Sequence, residues 1–326
     1  MGTKIVGLGA ALPEKILTNF DLEKMVDTSD EWIRTRTGIR ERHIAAENEY
    51  SSTLAVRAAR QALEMAGMKP TDVDVIILAT VTPDMFFPST ACIVQNELGA
   101  GNIPAFDLSA ACSGFIYGLT IADAFIKSGK FNSVLLIGVE TLSKITDWTD
   151  RTSCILFGDG AGAAVIVKSE EEGILSTVIK ADGSAGELLY MPAGGSRMPA
   201  TEETVKNRLH FIKMKGNEVF KHAVKRMPEV SLEALEKAGL KVEDVDLLIP
   251  HQANQRITEA TGERLGIDPK KVFSNIERVG NTSAASIPIA WREAYEKGML
   301  KKGDIILLTA FGGGFTWAAA VVKWLL

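Results

Sequence analysis

The chain alternates short, uninterrupted apolar runs with longer stretches in which apolar and polar positions mix. VDVIILAT (73–80), SVLLIGV (133–139), VDLLIP (245–250) and DIILLTAF (304–311) are the clearest runs. Each is too short for a helix and apolar throughout, the pattern of strands buried on both faces. IPAFDL (103–108) and KVFSNI (271–276) read as further strands, and helices are predicted over about 113–127 and 284–296. Those two helices open on SGFIYGLTIA and AASIPIA, small and apolar on all sides, so they read as sandwiched between sheets.

The pattern occurs twice. ALEMAGMKPTDVD (62–74) and ALEKAGLKVEDVD (234–246) agree at nine of 13 positions, an offset of 234 − 62 = 172 residues. In each copy a helix ends at a glycine, Gly67 or Gly239, suited to a left-handed cap. An acidic turn and a buried strand follow. Alternating strand and helix predicts parallel sheets flanked by helices. The expected fold is α/β, two duplicated halves (1–172 and 173–326) packed with helices between their sheets. Between them, 184–211 lacks periodicity and holds Pro192, Gly194, Gly195 and Pro199, which reads as a long surface excursion.

Composition narrows the classes. With 326 residues, 46% hydrophobic and 24% charged, the chain has ample apolar content for a large core. No apolar stretch approaches the ~18 residues of a membrane span, and MGTKIVGLGAALPEK lacks the apolar core of a secretory signal. Three cysteines are too few for a disulfide scaffold, and with four histidines make a zinc site unexpected. A net charge of −5 argues against nucleic acid as main partner. A reduced, soluble, cytoplasmic protein is the expectation.

Three polar positions stand at strand-to-helix turns. Cys112, in FDLSAACSGF, follows a strand and opens a buried helix among small neighbours. Unpaired N–H groups at a helix start favour a thiolate, so a nucleophile with a lowered pKa is one reading and a buried structural thiol the other. Cys92 and Cys154 lack that setting and read as packing residues. His251 lies just past a buried strand, where ligand and catalytic groups gather in α/β folds; a structural histidine is the alternative. His43, His210 and His222 keep the structural reading. Asn281 follows Gly280 at a turn, where capping is its ordinary use. Cys112 and Asn281 occupy similar turns of opposite halves, so pseudo-twofold packing would bring a thiol, an imidazole and an amide together as an acyl-transfer site. The glycines of AFGGGFT could present backbone N–H groups to an oxyanion, or simply connect two strands.

DEWIRTRTGIRERH, the Cys112 turn, HQANQRI, GNTSAAS and AFGGGFTW, in that order, resemble the thiolase-fold condensing enzymes, and within them the β-ketoacyl-acyl-carrier-protein synthase III family. The resemblance spans essentially the whole chain. It implies a five-layered α-β-α-β-α fold, a homodimer and initiation of type II fatty acid synthesis, with no cofactor, the CoA thioester being a substrate. Acyl-CoA would acylate Cys112; malonyl-acyl carrier protein would lose CO₂ and its enolate attack the acyl group. His251 and Asn281 would stabilise the enolate, the N–H groups of Cys112 and Gly313 the oxyanion, and Phe311 would assist decarboxylation. Trp32 and Arg151 match a pair that sandwiches the CoA adenine. Thr28 and Arg36 match further contacts at the nucleotide end, and Met214, Gly216, Phe220 and Asn254 a pantetheine tunnel. Phe87 matches a residue closing the acyl pocket across the dimer, which favours short primers.

An acidic carrier protein needs a basic patch. Lys213, Lys215, Lys221, Lys225, Arg226 and Arg256 supply candidates, Lys221 and Arg256 matching docking positions of the family. Rival readings are a related synthase using CoA-bound partners, as in polyketide or quinolone pathways, and an inactive scaffold that only binds carrier protein. A thiolase would want a second cysteine after Cys154, an elongating ketosynthase a histidine at Asn281, and a hydroxymethylglutaryl-CoA synthase a catalytic glutamate.

Overall fold

The computed structural model describes residues 2–326. Two sheets lie face to face with helices between and outside them. The first has the strand order Gly2–Ala11, Asp159–Ser169, Ser133–Thr141, Val75–Ala79, Ala105–Leu108. The second runs Leu247–Pro250, Ile305–Gly312, Thr316–Lys323, Ile174–Ala181.

Side-chain alternation along the strands builds the layers. Val75 and Ile77 face inward, joining Phe115 and Leu119 of the helix Gly114–Lys127, Trp291 of the helix Ser286–Glu296, and Ile249 and Leu308 of the second sheet in one core. Their neighbours Ile76 and Leu78 face outward, against Leu54, Ala58 and Val94 of the helices Ser51–Ala66 and Thr90–Leu98. Leu248 and Leu307 likewise meet Met227, Ile257 and Leu265 of Gly216–Lys237 and Gln255–Leu265. The result is the five-layered α-β-α-β-α arrangement. Gly67 and Gly239 take the left-handed conformation, φ +64° and +69°, at the ends of equivalent helices.

Two expectations need correction. The sheets are mixed: each has a parallel part (Val75–Ala79 with both neighbours; Leu247–Pro250 with Ile305–Gly312) continued by antiparallel strands. Within the second sheet the tight turn between Gly312 and Thr316 joins two antiparallel strands directly, with no helical crossover. KVFSNI forms no strand; Val272 makes one isolated bridge to Leu248, and the next residues turn into the short helix Ile276–Val279. The surface excursion at 184–211 carries local structure, the short helix Glu202–Lys206 and part of a two-stranded ribbon, Leu189–Tyr190 with Lys213–Met214.

Candidate active site

The two halves present the same local device at their meeting point. The turns Ala111–Ser113 and Ser283–Ala285 each precede a buried helix, and Ala111 and Ser283, 283 − 111 = 172 residues apart, share φ +47°. A non-glycine residue in that region costs of order 1–3 kcal/mol, and such strain clusters at functional sites. Cys112 therefore corresponds to Ala284 of the second turn, and only the first turn carries a thiol.

Cys112, His251, Asn281 and Phe311 line one cavity of about 340 Å³. Its outer walls include Trp32, Arg36, Met214, Gly216, Phe220, Asn254 and Arg256, so the predicted tunnel residues and the polar triad share one space. A second, apolar cavity of about 370 Å³ also touches Cys112 and is walled by Leu142, Ile145, Ile212, Tyr190 and Met191, with Ser283, Gly313 and Gly314 at its rim. Phe157 and Leu189 line both. Cys112 thus lines both spaces, a channel that reaches Trp32 and Arg256 and a mostly apolar chamber of similar volume.

Each polar group has a defined state. Burial pushes the Cys112 thiol up to about 12; the Ser283 hydroxyl opposes this and the Glu140 carboxylate adds to it. This reverses the expectation of a lowered thiol pKa: the cost of a buried charge exceeds what the helix start provides. Burial lowers His251 to about 3, so its ring is neutral at ordinary pH. The His251 backbone N–H donates to the Thr309 carbonyl at 2.8 Å, while the ring Nδ1 is buried without a partner among the described residues. Gln252 braces the loop: its Nε2 donates to Pro250 O at 2.8 Å and its Oε1 accepts from Asn275 N at 3.0 Å. The Asn281 Oδ1 accepts from Ser283 N at 2.9 Å, which leaves its NH₂ as a fixed donor. A neutral imidazole and an amide donor beside a thiol can hold developing negative charge on a carbonyl oxygen.

Other predicted positions fall less simply. Arg151 lines neither cavity; its guanidinium rests on the Trp32 ring, 4.8 Å from the centroid, with Arg36 at 5.8 Å. The supposed adenine sandwich is therefore closed by the cation–π attraction of its own members, and a base enters only if Arg151 moves. Thr28 lies outside the cavity walls, its hydroxyl buried and unpartnered. Asn254 lines the channel but its side chain is engaged: Oδ1 caps the helix at Arg256 N, and Nδ2 donates to Arg36 O. Phe87 is 84% exposed beside Phe86 at 81%, and touches neither cavity within one chain.

The basic patch is thinner than its sequence. Lys221 pairs with Glu218 at 2.8 Å and Arg226 with Glu229 at 3.1 Å, while Lys213 lies 3.8 Å from Asp147. Lys215 and Lys225 stay exposed, and Arg256 stacks on Phe220 at the channel mouth. Cys154 is fully buried as expected, but Cys92 is exposed, its sulfur accepting from Ser89 Oγ. Sequence reasoning missed Phe157, Leu189, Leu142 and Ile212, ordinary apolar residues that only the fold brings to the sulfur, and also Ser283 and Glu140.

A duplicated five-layer fold with a cysteine, a histidine and an asparagine at the junction of its halves defines a thiolase-fold condensing enzyme. Residues 106–183 match the family model described as 3-oxoacyl-[acyl-carrier-protein] synthase III, and residues 235–324 the C-terminal model of the same family. The chain is 62% identical to the beta-ketoacyl-[acyl-carrier-protein] synthase III of Caldanaerobacter subterraneus subsp. tengcongensis, over 98% of this chain and 97% of that protein. The crystal structure of 3-oxoacyl-[acyl-carrier-protein] synthase III from Aquifex aeolicus matches at TM-score 0.92 and 56% identity, covering 99% of this chain and 100% of that one. The priming β-ketosynthase of the R1128 polyketide pathway matches at TM-score 0.93 and 36% identity, over 99% and 96% of the two chains. The chain belongs to the β-ketoacyl-acyl-carrier-protein synthase III family and is an acyl-condensing enzyme.

Proposed function

We propose that the protein starts fatty acid chains in two half-reactions. A short acyl-CoA, acetyl-CoA first among them, enters the channel past Trp32 and Arg36. The Cys112 sulfur attacks its carbonyl while the N–H groups of Cys112 and Gly313 face the oxyanion, CoA leaves, and the acyl group lodges in the apolar chamber. Malonyl-acyl carrier protein then docks at the mouth beside Arg256 and Lys221 and delivers its arm along Met214, Gly216, Phe220 and Asn254. Loss of CO₂ beside Phe311 leaves an enolate whose oxygen faces His251 and the Asn281 amide. Its carbon attacks the acyl-cysteine, giving 3-oxoacyl-carrier protein and restoring the thiol. A neutral His251 suits this role, because it donates a hydrogen bond without carrying a proton that would quench the enolate.

The observation that carries the reading is the meeting of channel and chamber at one cysteine, with His251 and Asn281 on the channel side. The chamber wall of Leu142, Ile145, Ile212 and Met191 suits a short hydrocarbon. The exposed Phe86–Phe87 pair supports a homodimer in which a second copy covers it. We place the enzyme in the cytoplasm, acting on these two partners and needing neither nucleic acid nor membrane. The test is the acceptor. Acetyl-enzyme should yield acetoacetyl product with malonyl-acyl carrier protein and far less with malonyl-CoA; preference for malonyl-CoA would instead support a pathway like that of the polyketide or quinolone synthases.

A further inference from the structure

Asn281 is held at both of its backbone groups by one segment of the first half. Its N–H donates to the Leu156 carbonyl at 2.9 Å, and its carbonyl accepts from the Gly158 N–H at 3.0 Å, with Phe157 bridged to it between them. That segment is itself held by Arg42, a fully buried residue on the short strand Glu41–His43. Arg42 Nη2 donates to the Ile155 carbonyl at 2.8 Å. Its Nη1 donates to the Leu17 carbonyl at 3.1 Å and to Asn19 Oδ1 at 3.0 Å. Asn19 is fixed in turn, its Nδ2 donating to Ile39 O at 2.8 Å and Asp30 Oδ1 at 3.0 Å. The aliphatic stem fits as closely. A Cβ on Gly158 or on Gly280 would lie 3.1 Å from the Arg42 Cβ, so the stem wedges against both the residue that donates to Asn281 and the one that precedes it.

An apolar side chain would fill this space at lower cost. Arg42 has no ion-pair partner among the described residues, and its Nε is buried without an acceptor. Burial accordingly lowers its pKa to about 10. A buried cation is a poor device for stability, because apolar residues of similar volume do as well or better. What they lack is a planar fork that fixes several acceptors in one geometry.

We propose that Arg42 is a positioning residue for decarboxylative condensation: its guanidinium and stem fix residues 155–158 and Gly280, and so set where the Asn281 amide meets the enolate. Arg42 acts through Asn281. Cys112 sits on a different frame, between the strand Ala105–Leu108 and the helix Gly114–Lys127, to which Arg42 donates no hydrogen bond. The two half-reactions should therefore respond unequally to its loss.

This role rests on Asn281 being a donor to the enolate, and the experiment separates the two claims. Acylation by acetyl-CoA, and then loss of the acetyl group to malonyl-acyl carrier protein, are each followed in single turnovers by rapid quench and intact mass. Wild type is compared with Arg42→Met, Arg42→Lys, Asn281→Ala and both Arg42 variants combined with Asn281→Ala. Arg42→Met should condense about 10²-fold more slowly, with acylation slowed no more than about fivefold. Its KM for malonyl-acyl carrier protein should stay within about threefold, since docking lies elsewhere. Arg42→Lys, which keeps the charge but not the fork, should remain at least about tenfold slow in condensation. On the Asn281→Ala background either Arg42 variant should slow condensation no more than about threefold further, because the group it positions is gone. Wild-type condensation in Arg42→Met or Arg42→Lys would overturn the proposal. So would a full additive loss in the double variants, or equal losses in both half-reactions, the mark of a structural defect. Should Arg42→Met fail to fold, Arg42→Lys and its double variant decide. Condensation at the wild-type rate in Asn281→Ala would refute the role of Asn281 itself, whereas an impaired Asn281→Ala beside an unimpaired Arg42→Met would refute that of Arg42 alone.

Discussion

Replacing Gly312 by alanine probes the fit between the second sheet and the Cys112 turn. Gly312 ends the strand Ile305–Gly312, and a Cβ there would lie 2.6 Å from the Cys112 backbone nitrogen and 3.0 Å from the Cys112 Cβ. Ordinary contacts begin near 3.4 Å, so the turn must retreat by about 3.4 − 2.6 = 0.8 Å. The atom displaced is the nitrogen whose N–H is proposed to face the oxyanion, and the sulfur follows it. Misplacement on the order of 1 Å in a preorganised site costs about 10² in rate, or about 2.7 kcal/mol of transition-state stabilisation. Overpacking adds about 1–3 kcal/mol of lost stability. Single-turnover acylation by intact mass and denaturant unfolding measure the two effects separately. Gly183→Ala is the control, since nothing lies within 4 Å of a Cβ there. Acylation within threefold of wild type in Gly312→Ala would refute the claim that this nitrogen's position sets the rate.

Three further outcomes follow from the same geometry. His251→Ala and Asn281→Ala should slow decarboxylative condensation at least tenfold more than acylation in a half-reaction assay; the opposite order would reverse the assigned roles. Arg256→Glu should raise the KM for malonyl-acyl carrier protein about tenfold and leave that for acetyl-CoA within threefold; an unchanged carrier KM removes Arg256 from docking. Because His251 titrates near 3 in the fold but at 6.5 unfolded, its contribution to stability is present above pH 6.5 and lost as pH falls toward 3. His251→Gln should therefore lose about 2–3 kcal/mol less than wild type between pH 6.5 and 4 in urea titrations, and identical acid limbs would contradict a histidine buried neutral.

Much of this arrangement was legible before the fold was known, because duplication writes the same information twice. The offset of 172 that aligns two helix ends also aligns the turns at Ala111 and Ser283, so the placing of Cys112 and Asn281 in similar turns of opposite halves was readable from spacing, although Cys112 itself aligns with Ala284. What stayed hidden depends on partners distant in sequence. KVFSNI has a strand's composition, yet the edge of the second sheet gives it only a bridge at Val272. Glu140 follows an apolar run as any residue at a strand's surface end would, and only the Thr80–Thr82 loop and the Ser283 turn make it a buried carboxylate. The chamber is built from Leu142, Phe157, Leu189 and Ile212, whose types are common and whose meeting is tertiary. The lysines suggested a patch by number, but Glu218, Glu229 and Asp147 answer three of the charges.

The central claim is that one sulfur carries the acyl group between the two half-reactions. Peptide-level mass spectrometry after incubation with acetyl-CoA tests it directly. One acetyl group should appear on the peptide containing Cys112, be absent in Cys112→Ser, and disappear on addition of malonyl-acyl carrier protein as acetoacetyl product forms. An acetyl group on Cys92 or Cys154 instead, or one on Cys112 that the malonyl donor leaves in place, would contradict the account.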